Sequence, residues 1–128
     1  TATTSNTAVF EDRHVKPGTH ISAIGAYTPE MQEIPIETVA RARIVVDSRA
    51  TVMDDAGDLV KALQAGAITE ANIHAELGEI VSGKKTGRQS ETEITFFKSV
   101  GNAVQDAAAA QLALKNASLL RLGTEVNF

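Results

Sequence analysis

Apolar positions along the chain fall into short runs of two kinds, and the change from one to the other divides the sequence into elements. Thr19–Gly25 is a β-rich run that follows the turn signal Lys16-Pro17-Gly18. Ile36–Ala42 reads as a short helix, with Pro35 suited to its start. Arg43–Asp47 is almost continuously apolar, as expected of a strand buried on both faces of a parallel sheet. Ser48 is placed to cap a following helix, and Gly57 or Asp58 opens another that ends at Gly66. Thr69–Asn72 resembles a helix start, which predicts a helix from Ile73 to Ser82, stopped by Gly83. Ile94–Phe97 is a third strand candidate. From about Ser99 to Arg121 the apolar residues Val100, Ala103, Val104, Ala107, Ala110 and Leu114 recur at three- and four-residue steps, predicting a long helix with one buried stripe.

Alternating strands and helices indicate an α/β domain with a mostly parallel sheet. Three strands are visible where a doubly wound dinucleotide-binding sheet has about six. The pattern therefore fits the second half of a Rossmann-type sheet, with flanking helices and a long C-terminal helix. The glycine-rich phosphate turn and the acidic residue that chooses between NAD and NADP belong to the first half of such a sheet. The sequence carries neither. It opens on Thr1-Ala2-Thr3-Thr4-Ser5 without an initiator Met, so a piece of a longer protein is expected. A half-sheet on its own would expose strand edges and an apolar face, which predicts a dimer or larger assembly.

Composition narrows the function classes. Hydrophobic residues are 43% and aromatics 4% of the 128 residues, so the core is built from Ala, Val, Ile and Leu. A net charge of −4 argues against nucleic acid or an anionic membrane as partner. The absence of cysteine removes disulfides, thiolate catalysis and Cys-based metal sites together. The three histidines are scattered, without metal-ligand spacing, and no metal is expected. No apolar run reaches the length of a membrane span and none reads as a signal peptide, so a cytoplasmic protein is expected.

Three stretches stand out as candidate chemistry. Thr1–Ser5 is a hydroxyl cluster at an expected strand end, where ligands of open α/β sheets sit. A polar turn is the plainer reading of its composition. In Ala23–Glu33, a glycine directly after a strand (Gly25) permits close approach by a flat ring, or simply a tight turn. At Phe97–Asp106 a strand passes into a helix, and Ser99 is placed either to cap that helix or to bind a ligand amide.

Taken in order, these segments resemble the ornithine cyclodeaminase/mu-crystallin family across essentially the whole chain. The resemblance is carried by Thr1–Ser5, Val15–Ile21, Ala23–Ala26 with Pro29 and Glu33, and Ala42–Ser48. It continues through Gly66–Thr69, Glu76–Gly83, Ile94–Gly101 and Gln105-Asp106. It implies that 1–128 is the C-terminal portion of an NAD(P)-binding Rossmann domain, with 99–128 a helix and tail returning towards a substrate domain. It also implies an NAD or NADP cofactor in the parent, a small amino or imino acid substrate, and hydride passed between the nicotinamide and the substrate α-carbon. Residue by residue, Thr3, Ile24, Gly25, Ala26 and Tyr27 match positions beside the cofactor. Ser99 matches the residue expected to hold the carboxamide, and Val100 one that borders the substrate.

Tyr27 stands where ornithine cyclodeaminases carry a catalytic Asp, and Met31 where they carry a Lys. A phenol, with an ordinary pKa of about 10, is a poor base at neutral pH. The resemblance thus implies an imine reductase, amino-acid dehydrogenase or opine-type synthase rather than a cyclodeaminase. The alternative is a non-catalytic, crystallin-like NAD(P)- or ligand-binding protein. The isolated chain is expected to be inactive, because the family's substrate-gripping basic residues lie in the N-terminal domain.

Overall fold

The computed structural model describes residues 1–124 and 126. The strands are β1 (His20–Ala23), β2 (Arg43–Val46), β3 (Ile73–Glu76) and β4 (Thr95–Lys98), all parallel in the order β1-β4-β2-β3. The helices are α1 (Ile36–Arg41), α2 (Arg49–Asp55), α3 (Gly57–Gln64), α4 (Leu77–Val81) and α5 (Ala103–Leu120). The sheet continues past β1, because Ile24 N–H donates to Thr1 O at 2.9 Å and Ala26 N–H to Thr3 O at 3.4 Å. This is the half of a Rossmann-type sheet that the alternating pattern predicts.

The period of two along each strand separates the faces. Ile21, Ala23, Ile44, Val46 and Phe96 point inward, onto Val39 of α1, Val52 of α2 and Leu59 of α3. The opposite face carries His20, Ser22, Val45 and Phe97, exposed or half-buried. A groove of about 420 Å³ runs over that face, bounded by Phe97, Leu77 and Ile80.

Three expectations need correction. The segment from Ile73 is not one helix but β3 followed by α4. Thr69 does begin a helical turn, but Asn72 Oδ1 accepts from both its N–H and its hydroxyl and closes it after three residues of 3-10 helix. Ile73 and Ala75 then alternate into the core, so the sheet has four strands rather than three. At α2, Ser48 holds the N-cap position but its hydroxyl accepts no helix N–H. The free Arg49 N–H is taken instead by Glu76 Oε1 at 2.8 Å, across from β3. Finally, α5 starts at Ala103 with Asn102 accepting from Val104 N–H, and none of its residues is buried. Val104 is 65% and Leu114 71% exposed. Its apolar residues are spread around the helix rather than gathered in one stripe, and among the described residues nothing covers them.

Candidate functional site

The parallel strands bring their carboxyl ends to one edge, where the chain turns sharply. Residues 25–33 form a loop that is pinned from below by buried polar groups. Lys98, the last residue of β4, shares the inward parity of Phe96 and is fully buried. Its Nζ donates to Gly25 O and, at 3.1 Å, to Asp58 Oδ2, which is equally buried. Asp58 Oδ1 accepts the N–H groups of Glu33 and Ile34 at 2.7 and 2.9 Å. Gly57 N–H, next in the chain, donates to Ala26 O at 3.0 Å. A buried charge is tolerated only when paired and hydrogen-bonded, and each of these groups is.

Glu33 closes the network from the other side. Its carboxylate accepts from Thr3 N–H at 2.5 Å and from the Thr1 hydroxyl at 2.9 Å. Burial pushes its pKa up, but the hydrogen bonds from Thr3 and Thr1 and the charge of Lys98 outweigh this and hold it below the ordinary 4.5. A carboxyl with a lowered folded-state pKa is protonated more readily in the unfolded chain, so folding loses stability as the pH falls. The Glu33 contribution is complete above the ordinary glutamate value and declines as the pH drops through the lower folded value. Glu33→Gln is therefore expected to flatten the acid limb of a stability-versus-pH curve, measured by urea unfolding. An unchanged slope below pH ~4.5 contradicts the assignment.

Above this network lies a shallow cleft of about 220 Å³ lined by Ala2, Thr3, Thr4, Ile24, Gly25 and Tyr27. It gathers four of the residues singled out from the sequence, Thr3, Ile24, Gly25 and Tyr27. Ile24 is 59% and Tyr27 49% exposed. Ala26 lies beneath, buried, with a left-handed φ of 48° that swings the chain from strand to loop. Gly25 is sterically required, since a Cβ there would sit 2.3 Å from Thr3 O and 2.5 Å from the Glu33 carboxyl carbon.

Ile24, Ser99 and Asp47 follow β1, β4 and β2 and continue the outward parity of those strands. They form a row on that side of the sheet, Ile24 exposed, Asp47 half-buried and Ser99 buried, with Ser99 N–H donating to Ala23 O at 3.1 Å. The Ser99 hydroxyl donates to Asp47 Oδ2 at 2.6 Å and accepts from Gly101 N–H at 3.2 Å. It therefore serves the turn before α5 rather than capping the helix. Val100 is half-buried against the core beside this row. Among the described residues no three His, Asp or Glu side chains group as a metal site.

Sequence reasoning placed no site role on Lys98, Asp58 or Asp47, and read Asp58 only as a possible helix start. Lys98 did leave a signal, a lone cation at the inward parity of an apolar strand. Asp58 and Asp47 left none, because their partners lie 40 and 52 positions away in the chain.

The ornithine cyclodeaminase/mu-crystallin family model matches residues 1–119. The chain belongs to this family. It is 40% identical over 129 residues to the Delta(1)-pyrroline-2-carboxylate reductase of Bacillus cereus, covering all of this chain and 39% of that protein. Among solved structures, the Thermococcus litoralis Delta(1)-pyrroline-2-carboxylate reductase in complex with NADH and L-proline matches with a TM-score of 0.89 and 42% identity. That match covers 98% of this chain and 39% of the reductase. An archaeal alanine dehydrogenase dimer with bound NAD matches at a TM-score of 0.86 and 38% identity, over 99% of this chain and 39% of that one. The chain thus spans about two-fifths of the length of these ornithine cyclodeaminase/mu-crystallin relatives.

Proposed function

We propose that the chain is the C-terminal portion of the NAD(P)-binding domain of an imine reductase or amino-acid dehydrogenase. The observation that carries this reading is the cleft at the strand ends, in a chain 42% identical to a reductase whose structure holds NADH and L-proline. The residues fit a nicotinamide. Ile24 and Gly25 offer a flat apolar surface next to the hydroxyl of Thr3, and Ser99 stands one strand further with a polar atom for the carboxamide. Bound there, the dinucleotide supplies the two-electron reductant or oxidant of the reaction.

The protein's share is positioning. Lys98 fixes the Gly25 carbonyl, Asp58 and Gly57 fix the rest of the loop, and Glu33 fixes the Thr1–Thr3 segment that walls the cleft. Tyr27 stands at the rim in place of a catalytic carboxylate. The absence of a carboxylate at that position favours imine reduction over cyclodeamination. Residues 99–128, of which 125, 127 and 128 lie outside the described residues, return towards a substrate domain, whose surface takes the exposed apolar side chains of α5. The same reading assigns the parent to the cytoplasm, as a homodimer; among the described residues, no helix is long and apolar enough to cross a membrane.

The test is a panel of cyclic imino acids and of L-amino acids offered to the full-length protein with NADH, NADPH and their oxidised forms. Cofactor turnover with an imino acid or its amino-acid product is expected. Saturable cofactor binding without turnover on any of them points instead to a crystallin-like binding protein. The 128-residue chain alone is expected to turn over none of them, and hydride transfer by it would overturn that part of the reading.

A further inference from the structure

Ser99, buried, and Asp47, half-buried, are neighbours at the strand ends, and their hydrogen bonds have a direction that bears on ligand choice. A serine hydroxyl has one proton to give and two lone pairs to receive with. Here the proton goes to Asp47 Oδ2 at 2.6 Å, because a carboxylate only accepts. One lone pair takes Gly101 N–H at 3.2 Å. The second carboxylate oxygen is not free to rearrange, since Oδ1 accepts Ser48 N–H at 2.8 Å. What Ser99 can offer a ligand is therefore its remaining lone pair and not its proton.

We propose that Asp47 is a specificity-determining positioning residue: it fixes the Ser99 hydroxyl as an acceptor, so that the site selects a ring substituent presenting an N–H donor. This rests on the reading that Ser99 meets the nicotinamide carboxamide. The amide NH2 then faces Ser99, and a substituent that keeps the carbonyl but lacks the NH2 loses the bond. In Asp47→Asn the single oxygen is held by Ser48 N–H, which turns the amide NH2 towards Ser99. The serine proton is then released outward and the polarity of the contact reverses.

The experiment is direct binding, by titration calorimetry on the full-length protein, of the reduced dinucleotide and of its 3-acetylpyridine analogue, in which a methyl replaces the NH2. The unaltered protein is expected to prefer the natural cofactor by about three- to tenfold, the worth of one hydrogen bond. Both Asp47→Asn and Ser99→Ala are expected to bring the two ligands to near parity. Asp47→Ala, which also frees the proton, serves the same purpose if the Asn variant does not fold. If Ser99→Ala keeps the preference, Ser99 does not meet the carboxamide, and the reading beneath the proposal fails with it. If Ser99→Ala removes the preference but both Asp47 variants keep it, Ser99 holds the ring as proposed while the role given to Asp47 is wrong.

Discussion

Lys98→Met is expected to destabilise the domain by about 3–5 kcal/mol, the cost typical of removing one partner from a buried ion pair. Lys98 and Asp58 have no exposed surface, and the 3.1 Å contact gives Asp58 Oδ2 its cationic partner. Methionine fills the space of the lysine stem but leaves the Asp58 charge facing apolar side chains, and it also leaves Gly25 O without its donor. For a domain whose whole stability is about 5–15 kcal/mol, that is a large share. Adding Asp58→Asn to Lys98→Met removes the uncompensated charge and is expected to restore part of the loss, because the two residues act as one unit. Urea unfolding of the three proteins measures both effects. A Lys98→Met loss under about 1 kcal/mol, the scale of an exposed pair, would mean that water reaches the lysine and that the loop is held by other means.

Gly25→Ala is expected to act less on stability than on the cleft. The added methyl would lie 2.3 Å from Thr3 O, and backbone on both sides is tied down, since Thr3 O accepts Ala26 N–H and Thr3 N–H donates to Glu33. The Thr1–Thr3 segment has to move away from β1, at a cost of about 1–3 kcal/mol. That segment is one wall of the cleft, and a displacement approaching 1 Å at such a site lowers catalysis by about a hundredfold. In the full-length protein, cofactor affinity and kcat/KM are expected to fall together. Gly78 is the control, because a Cβ there meets nothing within 4 Å. Gly78→Ala in α4 is expected to leave binding intact and to add up to about 1 kcal/mol of stability through helix propensity. Equal behaviour of the two variants would remove Gly25 from the site.

How far the fold could be read in advance depended on whether a residue's environment is made by its sequence neighbours. β2 was legible because Arg43–Val46 is nearly all apolar, and β1 and β4 because each follows or precedes a clear break. β3 was not, since Ile73-His74-Ala75-Glu76 gives only two inward positions and sits directly between a helix-start signal and a true helix. On α5 both the single stripe and its burial were misread, since Val104, Leu112, Leu114 and Leu119 are exposed on different sides of the helix. Periodicity reports that a face requires a partner, not where the partner lies. The cleft residues Ile24, Gly25 and Tyr27 were visible because strand ends are where open α/β sheets bind ligands. The residues that hold them were hidden, because the links from Lys98 to Asp58 and from Ser99 to Asp47 are made only when β4 inserts between β1 and β2.

The central claim is that the ends of β1 and β4, with the Thr1–Thr3 segment beside them, form the nicotinamide site. A crystal structure of the full-length protein with bound NADH or NADPH tests it most directly. The account predicts the nicotinamide ring against Ile24 and Gly25 with its carboxamide at Ser99. A ring seated elsewhere, with Ile24 and Ser99 facing solvent or protein alone, would contradict it.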